Sequence, residues 1–328
     1  MEDYIPPFDI TNRMFELAAE IMENLGKLSN VDELEKLPRL RKVSQVKSIH
    51  SSLAIENNTL SLEQVTDIIN GKKVLGPQED IIAVKNAFSA YKELNKIDPY
   101  DIKDLLKIHS VMMDGLVGGA GVFRSGNVGV IDGNGRIIHT APPAKMVKGL
   151  IEQLFSWLKN SDVQMLIKSC VFHYEFEFIH PFNDGNGRTG RLWQTALLAS
   201  WKPIFKYIPI ESVIKDNQED YYRAFKISTS QGKSNAFILF MLDIINQAIK
   251  DIVNDSREHY NHINIQINKL MQVMENYPQS AKQIMERLKL KSRVNFRKSY
   301  LLPAIEAGLI GMTIPEKPTS KNQMYFKI

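Results

Sequence analysis

The chain has 328 residues, with 41 Lys and Arg against 37 Asp and Glu, a formal net charge of +4, and 44% apolar residues. That length suits about two domains, and the composition excludes collagen-like, low-complexity and wholly disordered chains. Mean hydropathy is −0.22, and no stretch approaches the roughly 20 apolar residues of a membrane helix, so no membrane partner is expected.

In chain order, Met1–Pro7 is acidic and lacks an apolar core, so a secretory signal is not expected. A helix is predicted over about 9–27, with Phe15, Ala18, Ala19, Met22 and Leu25 as its apolar stripe. A second spans Leu40 to Glu56 and stops at Asn57-Asn58. A third opens at Ser61 with Gln64 three residues on, a capping-box pattern, and ends at Gly71. Further helices are predicted at about 79–95, 101–114 (capped by Asp101), 144–159, 163–178, 187–200, 217–230 and 235–273. The single cysteine, Cys170, lies in an apolar run and reads as a buried small hydrophobe. It rules out an intramolecular disulfide and fits a reducing cytoplasm.

Gly121–Pro143 breaks the helical pattern. Val128–Ile131 and Ile137–Thr140 flank Asp132-Gly133-Asn134-Gly135, a strong hairpin signal. A hairpin in a helical body has open edges and serves as an interaction device, a lid or a plain connection. The tail changes again. Ser280–Leu288 reads as a short capped helix, Lys289–Ser292 as a basic turn, and about 293–307 as a second helix ended by Gly308. Leu309-Ile310 and Tyr325–Ile328 then read as a two-stranded wing. That order is the winged-helix order. From Pro278 onward there are ten Lys and Arg and three Glu, a net charge of +7, which leaves −3 for the rest. A mildly acidic body with a basic tail points to an anionic partner for the tail.

The densest chemistry is His180-Pro181-Phe182-Asn183-Asp184-Gly185-Asn186-Gly187-Arg188-Thr189-Gly190-Arg191. Glycines between two helices expose backbone N–H groups and run into a helix N-terminus, which binds anions. Arg188 and Arg191 share a face of the new helix in its first turn, where the dipole disfavours cations. An anion balances them, and guanidinium holds phosphate bidentately. Asp184 beside phosphates calls for a bridging divalent cation, typically Mg²⁺. His180 suits a general base, and Phe182 reads as the buried anchor of the loop. His50, His109, His173, His259 and His262 show no metal-ligand spacing and read as structural histidines.

This stretch resembles the Fic family, whose motif His-x-Phe-x-Asp-Gly-Asn-Gly-Arg-x-x-Arg it matches at every fixed position. The resemblance covers about 40–250. It implies a mainly α fold, a Fic-type helical bundle with a β-hairpin flap, here followed by a C-terminal winged-helix (helix-turn-helix) domain. The expected divisions are an N-terminal helical region 1–95 with an inhibitory helix 40–57, a Fic core 96–255 with flap 121–143 and motif 180–191, and a linker helix with the winged-helix domain over 256–328.

The resemblance implies a protein adenylyltransferase that moves AMP from ATP onto a Ser, Thr or Tyr hydroxyl of a target protein. By it, His180 is the catalytic base and Asp184 holds Mg²⁺. Gly185, Asn186 and Gly187 form the anion hole, and Arg188 and Arg191 hold the β- and γ-phosphates. Thr189 and Gly190 extend the nucleotide site. Ile138, His139 and Thr140 of the flap lie near the nucleotide, and the flap docks the target by strand addition. Tyr221 and Tyr222 match the tyrosine pair that lines the adenosine site, while Thr229 stands where the family often has asparagine.

Ser52-Leu53-Ala54-Ile55-Glu56-Asn57 matches the Fic inhibitory motif, with Ser52, Glu56 and Asn57 at its fixed positions. By resemblance Glu56 pairs with Arg191 and blocks the γ-phosphate position. A glutamate at a helix C-terminus opposes the dipole and invites such a partner. Arg293, Asn295, Arg297 and Lys298 on the tail's second helix, with Lys317 and Lys321 on the wing, suit a DNA groove; a protein partner is the other reading. Relatives often form homodimers. Two alternatives stay open for the whole chain: a DNA-binding regulator with a Fic sensor core, and a Fic enzyme that moves another group or removes AMP.

Overall fold

A computed structural model describes residues 4–29, 38–131 and 137–328; the side chains of 29, 38–40, 130–131, 137–138 and 256–264 are outside that description. The side chain of Ile138, those of His259 and His262, and the hairpin turn 132–136 therefore lie outside the described residues. The chain divides into two compact units, 1–251 and 252–328.

The first unit is mainly helical, as expected. Its helices are α1 (Asn12–Ser29), α2 (Pro38–Ile55), α3 (Leu62–Ile69), α4 (Gln78–Glu93) and α5 (Ile102–Met112). After strands β1 (Gly129–Ile131) and β2 (Ile137–Thr140) come α6 (Ala144–Asn160), α7 (Met165–Ile179), α8 (Asn186–Trp201), α9 (Ile210–Asp216) and α10 (Gln218–Gln231). Helix α11 (Asn235–Val273) begins in the first unit and ends in the second. Among the described residues no helix is long and apolar enough to cross a membrane.

Local chemistry accounts for the ends of several helices. Ser61 Oγ accepts from Gln64 N at 3.2 Å, and Gln64 Oε1 accepts from Ser61 N at 2.9 Å, so the capping box forms. Asp101 caps α5 by accepting from Lys103 N at 2.8 Å. The α1 stripe differs from the expectation. Met14, Leu17, Ile21, Leu25 and Leu28 are buried, while Phe15 is 63% and Met22 40% exposed. α1 carries apolar residues on two faces, and spacing alone does not choose between them. A buried bond from Asn24 Nδ2 to Asn246 Oδ1 of α11, 2.9 Å, marks the face turned inward.

α7 is the central element. It is apolar on nearly every face and buried over almost its whole length. It packs against α8 and α6. Phe172, Phe176, Phe182 and Trp193 are fully buried around it. Cys170 is buried there too, and burial pushes its thiol up to about 12, so it is an inert core residue. Among the described residues β1 and β2 pair only with each other, antiparallel, with Val130 opposite His139 and a bulge between Val130 and Ile131.

The second unit has its own core of Ile267, Leu270, Met274, Ile284, Phe296, Tyr300, Leu301, Ala304, Ile310 and Tyr325. Strand β3 (Gln279–Ser280) leads into α12 (Ala281–Arg287), capped by Ser280 as the sequence implies, with Gln283 completing a capping box. After a turn with Lys289 in the left-handed region (φ 55°) comes α13 (Arg293–Phe296). It continues through a π turn, Arg297–Leu301, into α14 (Leu302–Glu306). β4 (Ile310–Met312) and β5 (Met324–Lys327) complete a three-stranded sheet of order β3-β5-β4. Helix, turn, helix and hairpin follow the order expected of a winged helix, and β3 is an addition.

Candidate active site

α7 ends at His180, which adopts a left-handed conformation (φ 50°) while its N–H still bonds Phe176 O at 2.9 Å. The loop then turns back and α8 starts at Asn186. Two interactions lock it. Asn186 Nδ2 donates to Phe182 O (2.9 Å) and Phe182 N donates to Asn186 Oδ1 (2.8 Å). Phe182 is fully buried and stacks on the His109 ring, centroids 3.6 Å apart. Gly185 has φ 81°, and a Cβ there would meet Met113 Sδ at 2.4 Å, so glycine is needed twice over. The first turn of α8 leaves its N–H groups without intrahelical acceptors, a cradle for an anion.

Of the residues expected at the nucleotide, Arg188 and Asp184 stand together. Arg188 Nη2 lies 3.1 and 3.2 Å from the two Asp184 oxygens. The Asp184 side chain is 56% exposed and that of Arg188 10%. Arg188 Nε is buried with no hydrogen-bond partner, a donor that a phosphate oxygen would satisfy. Asp184 at the rim of the cradle fits Mg²⁺, which binds through one or two carboxylates plus substrate phosphates. Thr189 is buried with Oγ1 unpartnered. Gly190 faces Glu177 and Phe176 of α7, so it packs rather than lining the cradle.

The Arg191 side chain is 2% exposed, and its guanidinium meets the end of α2. Its Nε donates to Ser52 Oγ (3.1 Å). Its Nη2 donates to Ser52 O (2.9 Å) and to Glu56 Oε1 (2.8 Å). Gly187 admits Glu56: a Cβ there would stand 2.4 Å from Glu56 Oε1. Asn57 turns the chain away in the left-handed region (φ 65°). Glu56 and Arg191 thus meet across a separation of 135 positions.

His180 starts the loop that leads into this cradle. Its Nδ1 faces its own helix, 3.4 Å from Glu177 O. Burial drags its imidazole down to about 4, so it is neutral at pH 7 and able to accept a proton. His139 stacks on Phe178 (4.2 Å), with Nε2 3.0 Å from Phe178 O, while Thr140 is exposed. Tyr221 departs from the expectation: it is 4% exposed and points into the core, its hydroxyl 3.2 Å from His173 Nε2. Tyr222 is half-buried beside Gln218.

Two positioning residues are absent from the expectation. Arg124, 3% exposed, donates to the carbonyls of His180 (2.7 Å), Gly126 (2.8 Å) and Pro142 (2.6 Å) and ties the hairpin base to the loop. His109 reads as structural from the sequence and is so, but at the loop itself: Gly121 N donates to its Nδ1 (2.8 Å) and its Nε2 donates to Asp184 O (2.9 Å). An arginine in a stretch without carboxylates is the only local sign of Arg124; nothing local marks His109.

Residues 99–198 match the Fic/DOC family, and 265–326 match the C-terminal domain described as "Filamentation induced by cAMP protein Fic-like". A Fic family protein from Desulfovibrio desulfuricans G20 is 44% identical, with a TM-score of 0.76 over 99% of this chain and 98% of that one. The chain belongs to the Fic family. Fic-1 from C. elegans (a fragment, aa134–508) shares the fold at 20% identity and TM-score 0.59, covering 75% of this chain and 72% of that one. Two curated relatives carry the name protein adenylyltransferase Fic. The one from Culex quinquefasciatus is 30% identical over 66% of this chain and 43% of its own length. The one from Aedes aegypti is 27% identical over 71% and 46%. The chain thus spans less than half the length of these relatives.

Proposed function

We propose that this Fic protein is a protein adenylyltransferase that moves AMP from ATP to a Ser, Thr or Tyr hydroxyl of a target protein and is held mostly off by Glu56. The carrying observation is the cradle itself: His180 at the start of the loop that leads into the N-terminal N–H groups of α8, with Arg188 and Arg191 on that helix. The names of the curated relatives support the reaction class.

In this reading the cradle N–H groups and the unpartnered Arg188 Nε bind phosphate oxygens. Asp184 would hold Mg²⁺, which supplies charge neutralisation on the phosphates when bound. His180 takes the target hydroxyl's proton at Nε2, since Nδ1 faces the end of α7. β1 and β2 pair only with each other among the described residues, so each offers an edge to an extended target segment. Glu56 occupies the Arg191 donor that a terminal phosphate needs. Residues 1–95 would then be the regulatory region, 96–255 the transferase core and 256–328 an accessory module, in a cytoplasmic protein.

Intact mass after incubation with ATP and Mg²⁺ tests this. Glu56→Gly should gain the mass of AMP on the order of 10–100-fold faster than the unmodified sequence. Glu56→Gly/His180→Ala should gain none. If Glu56→Gly binds labelled ATP yet modifies neither itself nor any lysate protein, the reading fails.

A second reading concerns the C-terminal unit. Arg293, Val294, Asn295, Arg297 and Lys298 are all exposed on one helical segment, Val294 at 76%. No Asp or Glu occurs between Glu286 and Glu306. We infer that this face, with Lys317 and Lys321 of the wing, binds duplex DNA through phosphates and groove edges.

A further inference from the structure

Glu177 is a carboxylic acid inside the packed pair of α7 and α8, and the chemistry above leaves it without a role. It lies three residues before His180 and is 5% exposed. Its Oε1 is buried without a hydrogen-bond partner. Its Oε2 lies 3.8 Å from His180 Nδ1, and its own carbonyl oxygen lies 3.4 Å from the same nitrogen. α8 makes room for it with Gly190, where a Cβ would stand 2.6 Å from Oε1. A glycine weakens a helix interior, and here it admits a carboxyl.

His173 does not satisfy that carboxyl. Its Nε2 is 3.9 Å away and faces the Tyr221 hydroxyl at 3.2 Å, while its Nδ1 is 2.6 Å from Gln194 Oε1. An orphaned buried carboxyl oxygen is destabilising, and such groups cluster at functional sites. Two oxygens of Glu177 face Nδ1 of His180. That makes Nδ1 the protonated nitrogen of the neutral ring and leaves a bare lone pair on Nε2.

We propose that Glu177 is the positioning residue of the His180 base: its backbone carbonyl accepts from Nδ1–H, and its carboxylate, 3.8 Å from the same nitrogen, supplies the counter-charge when Nε2 takes the proton of the target hydroxyl. The proposal rests on the adenylyl-transfer reading. In that step the hydroxyl O–H bond breaks and its oxygen bonds the α-phosphorus. The bond from that phosphorus to pyrophosphate breaks, and pyrophosphate leaves with the electron pair. His180 then returns its proton to solvent, and Glu177 ends the cycle unchanged.

The charged and titratable groups around the pair are His173 on α7, Arg191 on α8, Glu56 after α2, Arg124 and His139 beside the loop, and Tyr221 and Tyr222 on α10. Burial pushes Glu177 up to about 8; Arg191 pulls it down and Glu56 pushes it up. A protonated Glu177 offers no counter-charge, so the support for His180 grows as pH rises through that ionisation. Withdrawal of Glu56 moves the ionisation toward neutral pH.

The test compares Glu56→Gly with Glu56→Gly/Glu177→Gln in self-modification by ATP and Mg²⁺. In Glu56→Gly the rate should climb with pH through neutral and level off below the value of about 8 that Glu177 has with Glu56 in place. In the double variant the climb should vanish and the rate there should fall on the order of 10–100-fold, with KM for ATP changed less than about twofold. An unchanged rate and pH profile would overturn the proposal. A second measurement needs no catalysis and no replacement in the core. Imidazole ¹⁵N spectra of the full chain should show His180 protonated at Nδ1, its signals moving as pH passes through about 8. An Nε2–H tautomer, or signals that stay still there, would also overturn it. If those signals behave as expected while Glu56→Gly transfers no AMP at any pH, the adenylyl-transfer reading fails and the Glu177–His180 pairing stands.

Discussion

The two units handle charge in opposite ways. The first takes Arg124, Arg191, Glu177 and His180 out of water and surrounds most of them with fixed donors and acceptors. The second leaves Arg293, Arg297, Lys298, Lys317 and Lys321 in water, and none of them forms a salt bridge among the described residues. Buried, partnered charges are preorganised for one small ligand whose groups replace the partners one for one. Bare surface cations suit a long polyanion, whose released counterions drive binding without a fixed geometry. The contrast is that between a site suited to chemistry and a surface suited to association.

The sharpest way to break this comparison is at the base. His180→Ala in the Glu56→Gly background should lower AMP transfer by roughly 10²–10⁴-fold, read by intact mass. A loss below tenfold would mean that the buried histidine is not the base. The next largest effect is on stability. Phe182→Ala removes the fully buried anchor of the loop and should cost about 3–5 kcal/mol in denaturant unfolding of the first unit. Val294→Ala, at an exposed position of the second, should stay within about 0.5 kcal/mol.

Salt sharpens the contrast further. DNA affinity of the full chain should fall steeply as salt rises, and Arg293→Ala should make the log–log slope shallower by about 1. Absence of DNA binding at low salt would remove the second reading. ATP modification by Glu56→Gly should respond far less to the same salt range, because its charges are buried.

The smallest effect is on pH and stability. Burial pushes Glu175 up to about 7 and Glu177 up to about 8. The folded chain holds those protons more tightly, so their contribution is full below the ordinary carboxylate range and is lost as pH rises through 7 to 8. Burial drags His173 down to about 3 and His180 down to about 4. Their contribution is full above the ordinary histidine value and is lost on acidification through those values. Melting temperature should therefore decline on both sides of a plateau at about pH 4.5–6.5, and Glu177→Gln should flatten the alkaline side.

Much of the site was legible in the sequence, because its elements are set by neighbours in the chain. The loop and the start of α8 follow from Asp184-Gly185-Asn186-Gly187, and the caps Ser61, Asp101 and Ser280 follow from short side chains bonding to nearby N–H groups. The match of Ser52–Asn57 to an inhibitory motif pointed to Arg191, and the two stand 2.8 Å apart. Gly190 and Tyr221 were harder. Both lie in the expected helices, yet each turns its functional side inward, toward Glu177 and His173.

The sequence by itself determined the helices, the hairpin, the motif loop and the basic tail, since local propensity, capping and apolar spacing act within a few residues. Only the tertiary structure decided which stripe of α1 is buried, that Arg124 ties the hairpin base to the loop, and that Glu177 lies orphaned behind His180. Those depend on which faces of distant helices meet. Burial then sets whether a side chain is a solvated charge or a tuned one.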